Sequence, residues 1–212
     1  MSNYYPIYLD IENRPILIVG GGTVALRKVE TLLEYGALVR IVSPRIIPEL
    51  QNMVNNGQCE WIPREYSGED IQDSLLIFSC TEKEEVNAQV AQDAKANNRS
   101  INVVDDPDKC SFIVPSIMTR GDLSIAVSTG GSSPIVARQI RQELEGFYED
   151  EMILYLELLK TWRKEAKQHL PLEKRTQFLN RVTDGEVLNY LKQGQHDQAK
   201  EVIKNCFQSL LD

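Results

Sequence analysis

Two stretches of this chain have residue types at spacings that chemistry requires. The first is Gly20-Gly21-Gly22-Thr23-Val24-Ala25, which spells G-x-G-x-x-A. It directly follows the apolar run Ile16-Leu17-Ile18-Val19 and directly precedes a helix-like segment. In such a pattern Gly20 allows a tight turn and Gly22 lets backbone approach a pyrophosphate. Ala25 lets the helix pack closely on the strand. The helix N-terminus then offers unpaired N–H groups and a positive dipole end to the anion. The second stretch is Ser43-Pro44-Arg45, which ends the next strand-like run, Leu38-Val39-Arg40-Ile41-Val42. An Asp or Glu at this place usually holds the ribose hydroxyls of a dinucleotide. None is present, and Arg45 would suit a 2′-phosphate, so these residues leave the form of the cofactor open. A glycine loop alone also occurs in strand–turn–helix units that bind nothing.

The elements around these stretches set their geometry. From residue 7 to about 113, strand-like runs alternate with helical stretches. Helices are expected at Thr23–Tyr35 (stopped by Gly36), Pro48–Asn56 and Lys83–Asn97, and strands at 38–42, 59–62, 75–80 and 101–104. Alternation of this kind implies a parallel sheet with right-handed crossovers. Ligands of such sheets bind beyond the C-terminal strand ends, where Gly20–Gly22, Ser43, Thr81 and Asp105 fall. After this the pattern changes. Ser111–Met118 and Leu123–Ser128 read as strands of a hairpin turning at Thr119-Arg120-Gly121-Asp122. A helix from Pro134 to about Phe147 follows, with Ser133 as N-cap. From Glu149 onward the chain reads as charged helices broken at Pro171, Gly185 and Gly194. The run Met152–Trp162 is too apolar for a solvated helix and must pack on this chain or on a second copy.

Bulk properties narrow the function classes. A hydrophobic content of 42% supports a real core, and a net charge of −8 argues against a general nucleic-acid binder. No signal-peptide pattern opens the chain and no apolar stretch is long enough to span a bilayer, so a cytoplasmic protein without a membrane partner is expected. Cys59, Cys80, Cys110 and Cys206 are scattered, without a C-x-x-C pair, and read as free thiols of a reducing compartment. With His169 and His196 as the only histidines, no cluster resembles a preformed metal site.

Several segments together resemble the precorrin-2 dehydrogenase family, the siroheme synthase N-terminal module. They are Tyr5-Pro6-Ile7-Tyr8-Leu9, the glycine loop through Lys28, Asn102-Val103-Val104-Asp105, Phe112-Ile113-Val114-Pro115-Ser116 and Ser128–Pro134. The resemblance implies an α/β fold: a Rossmann-type NAD-binding domain (1–113), a dimerisation segment (114–148) and a small helical domain (149–212), assembled as a homodimer. It implies NAD-dependent oxidation of the tetrapyrrole precorrin-2 to sirohydrochlorin. Some relatives also insert Fe²⁺.

By the same resemblance, Thr23 and Val24 offer backbone N–H groups to the cofactor phosphates. Pro44 and Arg45 border the adenosine ribose. From the motif and the strand ends alone, Gly20, Gly22 and Thr81 are expected at the cofactor. Asp105 is implied as the general base; without the resemblance it reads first as a strand-end cap on the Asp106-Pro107 turn. The polycarboxylate substrate needs cations, for which Arg120, Arg138 and Arg141 are candidates, with Thr129 and Gly130 in the glycine-serine loop. The family often has serine where this chain has Thr129; the hydroxyl is kept and a methyl group is added. An NAD-sensing regulatory module is the reading from another class, since this fold hosts such functions freely.

Overall fold

The strand at Pro15–Val19 (β1) shows how this sequence builds its sheet. Ile16 and Ile18 point to one face and Leu17 and Val19 to the other, as the two-residue period of a strand requires. Both faces are apolar because both are covered. Ile16, Leu17 and Ile18 are wholly buried, each contributing about 1.5–3 kcal/mol. A computed structural model describes residues 4–211; residues 1–3 and 212, at the ends of the expected first and third domains, lie outside the described residues.

Helix α1 (Thr23–Glu34) lays Ala25, Val29 and Leu32 on the Ile16/Ile18 face. The chain continues through β2 (Leu38–Val42), α2 (Pro48–Asn55) and β3 (Glu60–Ile62), then β4 (Leu76–Ser79), α3 (Glu84–Ala96) and β5 (Ser100–Val103). Val90 and Ala94 of α3 cover the opposite face. The strands form one five-stranded sheet in the order β3-β2-β1-β4-β5, with every pairing parallel. Contacts divide the chain into two compact units, Met1–Val114 and Pro115–Asp212.

The strand expected from Ser111 begins only at Ser116. Ser111 makes a single link to β5: its N–H donates to Ile101 O at 2.8 Å, and its Oγ accepts the Ile101 N–H at 2.8 Å. Asn102 Nδ2 takes the carbonyl of Phe112 at 3.1 Å, and Pro115 has no N–H to give. No ladder can run through 112–115.

In the second unit β6 (Ser116–Arg120) and β7 (Leu123–Val127) form an antiparallel hairpin. Helix α4 (Pro134–Phe147) follows, and Ser133 Oγ accepts the Val136 N–H at 3.3 Å as its cap. Four helices complete the unit: α5 (Glu151–His169), α6 (Leu172–Val182), α7 (Glu186–Lys192) and α8 (His196–Gln208). Met152 and Tyr155 are buried within this helical core. Much of the apolar run of α5 is thus covered by its own unit. Phe178 is fully buried, with the rings of Trp162 and Phe207 centred 6.4 and 5.6 Å away.

One buried charge ties the 64–70 segment together and sets an acid limit on the stability of the first unit. Asp70 is 7% exposed and accepts both guanidinium nitrogens of Arg64, at 2.8 and 2.5 Å, and the Ser67 N–H at 2.8 Å. Burial pushes the acid up, but the Arg64 and Ser67 bonds outweigh it, and the carboxyl lies below its usual range. A depressed carboxyl stabilises the fold above its unfolded value of about 3.9, and that stability is lost as pH falls through the lower folded value. Asp70→Asn should therefore flatten the acid limb of stability against pH. Urea unfolding of both proteins from neutral to acid pH checks this; parallel curves would contradict it.

Candidate functional site

The parallel register brings four chain segments to one edge of the sheet. Val19 lies beside Val42 and Ser79, and Ser79 beside Val103. Gly20, Ser43, Cys80-Thr81 and Val104-Asp105 therefore leave the sheet together. Strand order reverses between β1 and β4, which opens a crevice at this edge, the place where such sheets take ligands.

The three glycines of the loop have three different reasons. Gly20 has φ +121°, and a Cβ there would lie 2.6 Å from Cys80 O. A Cβ on Gly21 would lie 2.3 Å from Arg45 O and 2.9 Å from Ile46 Cα, because the loop after β2 rests on this residue. The Ile47 N–H donates to Gly21 O at 2.9 Å and pins that contact. Gly22, the N-cap of α1, has φ −94°, and a Cβ on it would meet nothing within 4 Å. The chain itself therefore does not require glycine at 22. What a Cβ would fill is open space in front of a helix N-terminus.

That N-terminus has no side-chain cap, and no acidic residue occupies its first turn. The first intrahelical bond runs from Leu26 N to Gly22 O at 3.0 Å, so the amides of Thr23 and Val24 have no partner within the helix. Uncapped donors, a positive dipole end and room for close approach suit a pyrophosphate. The residues present fit a dinucleotide.

The loop after β2 is fixed by its own bonds. Ser43 Oγ donates to Arg45 O at 2.7 Å, and Trp61 Nε1 donates to Ser43 O at 2.9 Å. Pro44 and Arg45 stay exposed beside the glycine loop. Across the crevice, Thr81 is held by Asn87: Asn87 Nδ2 donates to Thr81 O at 3.1 Å, and Asn87 Oδ1 accepts Ser79 Oγ–H at 2.7 Å. The lone polar residue in the buried Asn87-Val90-Ala94 stripe of α3 was the available signal for this role. Burial pushes the Cys80 thiol up to about 12 against the opposing pull of Lys28, so Cys80 is an inert packing group at neutral pH. Burial likewise lowers Lys28, whose Nζ lies 5.6 Å from the centre of the Phe78 ring.

Asp105 stands at the end of β5 with φ +61°, exposed, and its carboxylate makes no hydrogen bond or ion pair among the described residues. It does not cap the following turn. The neighbouring Asp106 is the tethered acid: Lys109 Nζ pairs with it and, at 2.5 Å, with Glu84 Oε1 of α3.

The remaining site residues expected from the sequence belong to the second unit. Thr129 Oγ1 accepts the Ser133 N–H and donates to Ser133 O, both at 3.0 Å, which closes the loop over Gly130 and Gly131 with φ +61° and +88°. Arg120 faces Asp150 at 3.5 Å and donates to Thr119 O at 2.8 Å, and Arg141 pairs with Glu145. Arg138 is exposed on α4.

A parallel sheet with a switch-point crevice, a glycine turn and an uncapped helix defines a dinucleotide-binding α/β protein of the Rossmann type. An NAD(P)-binding family model matches residues 7–116, a sirohaem biosynthesis central model residues 120–146, and a sirohaem synthase dimerisation model residues 156–207. The siroheme synthase of Mannheimia succiniciproducens is 38% identical over 95% of this chain, and that of Zymomonas mobilis is 36% identical over 95%. The chain spans 43% of the length of each. The solved structure of SirC, a precorrin-2 dehydrogenase, superposes with a TM-score of 0.79 at 25% identity, covering 95% of this chain and all of that one. The chain belongs to the NAD(P)-binding family of siroheme synthases and precorrin-2 dehydrogenases. Among the described residues, no helix is long and apolar enough to cross a membrane.

Proposed function

We propose that this protein oxidises precorrin-2 to sirohydrochlorin, with NAD as the hydride acceptor. The observation that carries this reading is the unpaired carboxylate of Asp105 at the sheet edge where the glycine loop opens. Oxidation removes a hydride and a proton from the macrocycle. The nicotinamide, when bound, accepts the hydride. Asp105 accepts the proton: a carboxylic O–H bond forms as the substrate's bond to that hydrogen breaks. Thr23 and Val24 amides hold the pyrophosphate, Gly20 and Gly22 shape its cradle, and Pro44 and Arg45 border the ribose. Thr81, fixed by Asn87, lines the opposite lip.

The substrate's carboxylates call for cations. Arg138 is the readiest, since it has no ion pair among the described residues. Arg120 and Arg141 must first leave Asp150 and Glu145, and Thr129 and Gly130 their bonds to Ser133 and Ser128, before they hold a carboxylate. Exposed Ile135, Val136 and Ile140 on α4, beside a matched dimerisation region, support a homodimer; sedimentation at twice the chain mass tests it. Four free cysteines suit a cytoplasmic setting.

The function is tested by anaerobic incubation of the purified protein with precorrin-2 and NAD⁺. One reduced nicotinamide per sirohydrochlorin is the expected yield. NAD binding without tetrapyrrole oxidation would instead assign the chain to nucleotide sensing.

A further inference from the structure

We propose that Cys110 is a positioning residue for Asp105: its thiol clips together the chain on either side of the aspartate and so fixes where the carboxylate stands. This rests on the reading of Asp105 as the base. Cys110 Sγ lies 3.2 Å from Val103 N, 3.2 Å from Val103 O and 3.2 Å from Asp106 O. Its lone pairs accept the Val103 N–H, and its one proton is shared between two carbonyls. Asn102 Nδ2 adds a fourth contact at 3.5 Å while donating to Phe112 O. The sulfur thus touches residues two before and one after Asp105.

The clip matters because Asp105 is held through its neighbours and not by its own side chain. Its φ of +61° is a left-handed conformation that a non-glycine residue adopts at some cost, and its own side chain contributes no bond. The Asp106 N–H to Val103 O bond closes the turn at a long 3.3 Å, and the Cys110 N–H returns to Pro107 O at 3.1 Å. Lys109 anchors the far side of the turn to α3 through Asp106 and Glu84. Cys110 is therefore where β5, the Asp105 turn and the exit of the chain toward Phe112 meet. Burial raises the thiol above its ordinary range, so the proton needed for donation is retained at neutral pH. Neither alanine nor valine can replace these contacts; serine keeps a donor and an acceptor on a shorter arm.

The test compares Cys110→Ala and Cys110→Ser with the wild-type chain by anaerobic turnover, NAD⁺ titration, thermal unfolding and amide hydrogen exchange. Cys110→Ala should lower kcat by about ten- to a hundredfold, the scale of a misplaced catalytic group. NAD⁺ affinity should be unchanged, and exchange should quicken at the Val103 and Asp106 amides. Cys110→Ser should recover most of both losses. Two outcomes overturn the proposal: Cys110→Ala with wild-type kcat, or a kcat loss matched by weaker NAD⁺ binding and an equal loss in Tm, which marks a scaffold residue. Exchange at Val103 and Asp106 needs no turnover. If the wild-type chain oxidises no precorrin-2, the functional reading has failed; unchanged exchange in Cys110→Ala would sink the clip itself.

Discussion

Replacing Asp105 by asparagine is expected to cut precorrin-2 oxidation by about a hundred- to ten-thousandfold, the range for loss of a general acid–base group. NAD⁺ affinity and thermal stability should not change. Asparagine is the informative substitution because it tolerates the left-handed region about as well as aspartate does, so the turn at φ +61° is kept. Alanine would add a backbone cost of about 1–2 kcal/mol to the loss of the base. No partner is orphaned by the change, since the carboxylate bonds to nothing among the described residues. Steady-state kinetics with a matched NAD⁺ titration separates the effects. An Asp105→Asn enzyme with full kcat would remove this residue from the chemistry.

The glycine loop yields the second large effect, as a contrast between adjacent positions. Gly21→Ala places a methyl group 2.3 Å from the Arg45 carbonyl and 2.9 Å from Ile46 Cα, both backbone atoms that cannot step aside alone. It should cost about 1–3 kcal/mol of stability, typical of overpacking, and disturb the loop that carries Pro44 and Arg45. Gly22→Ala meets open space at an ordinary φ of −94°, so the fold should keep its Tm. NAD⁺ affinity should nevertheless fall at least about tenfold, or about 1.4 kcal/mol, because the methyl occupies the approach to the Thr23 and Val24 amides. Thermal unfolding and calorimetric NAD⁺ titration of both variants check the pair. Wild-type affinity in Gly22→Ala would move the pyrophosphate elsewhere.

The sheet and the ends of its strands were legible because the sequence encodes them locally. Apolar runs such as Ile16–Val19, turn glycines and the Ser133-Pro134 helix start each depend on neighbouring residues. The family was legible from ordered motifs, and the matched models and the SirC superposition agree with it. The parts that stayed hidden depend on contacts between segments distant in sequence. Nothing near Gly21 announces that Arg45 will rest on it. Cys110 looks like a stray thiol until β5 and the following turn curl around its sulfur. Arg120 and Arg141 looked like free cations, and only the fold shows Asp150 and Glu145 facing them. The Ser111 strand failed for the same reason: a side-chain bond to Ile101 took the place of a ladder.

A crystal of the full chain soaked with NAD⁺ tests most directly whether a coenzyme and one carboxylate share this edge of the sheet. The expected density has the pyrophosphate on the amides of Thr23 and Val24 and the nicotinamide ring near Asp105, with room beside both for the macrocycle. A dinucleotide seated away from the glycine turn, or a nicotinamide far from Asp105, would contradict the assignment of this crevice as the place of oxidation.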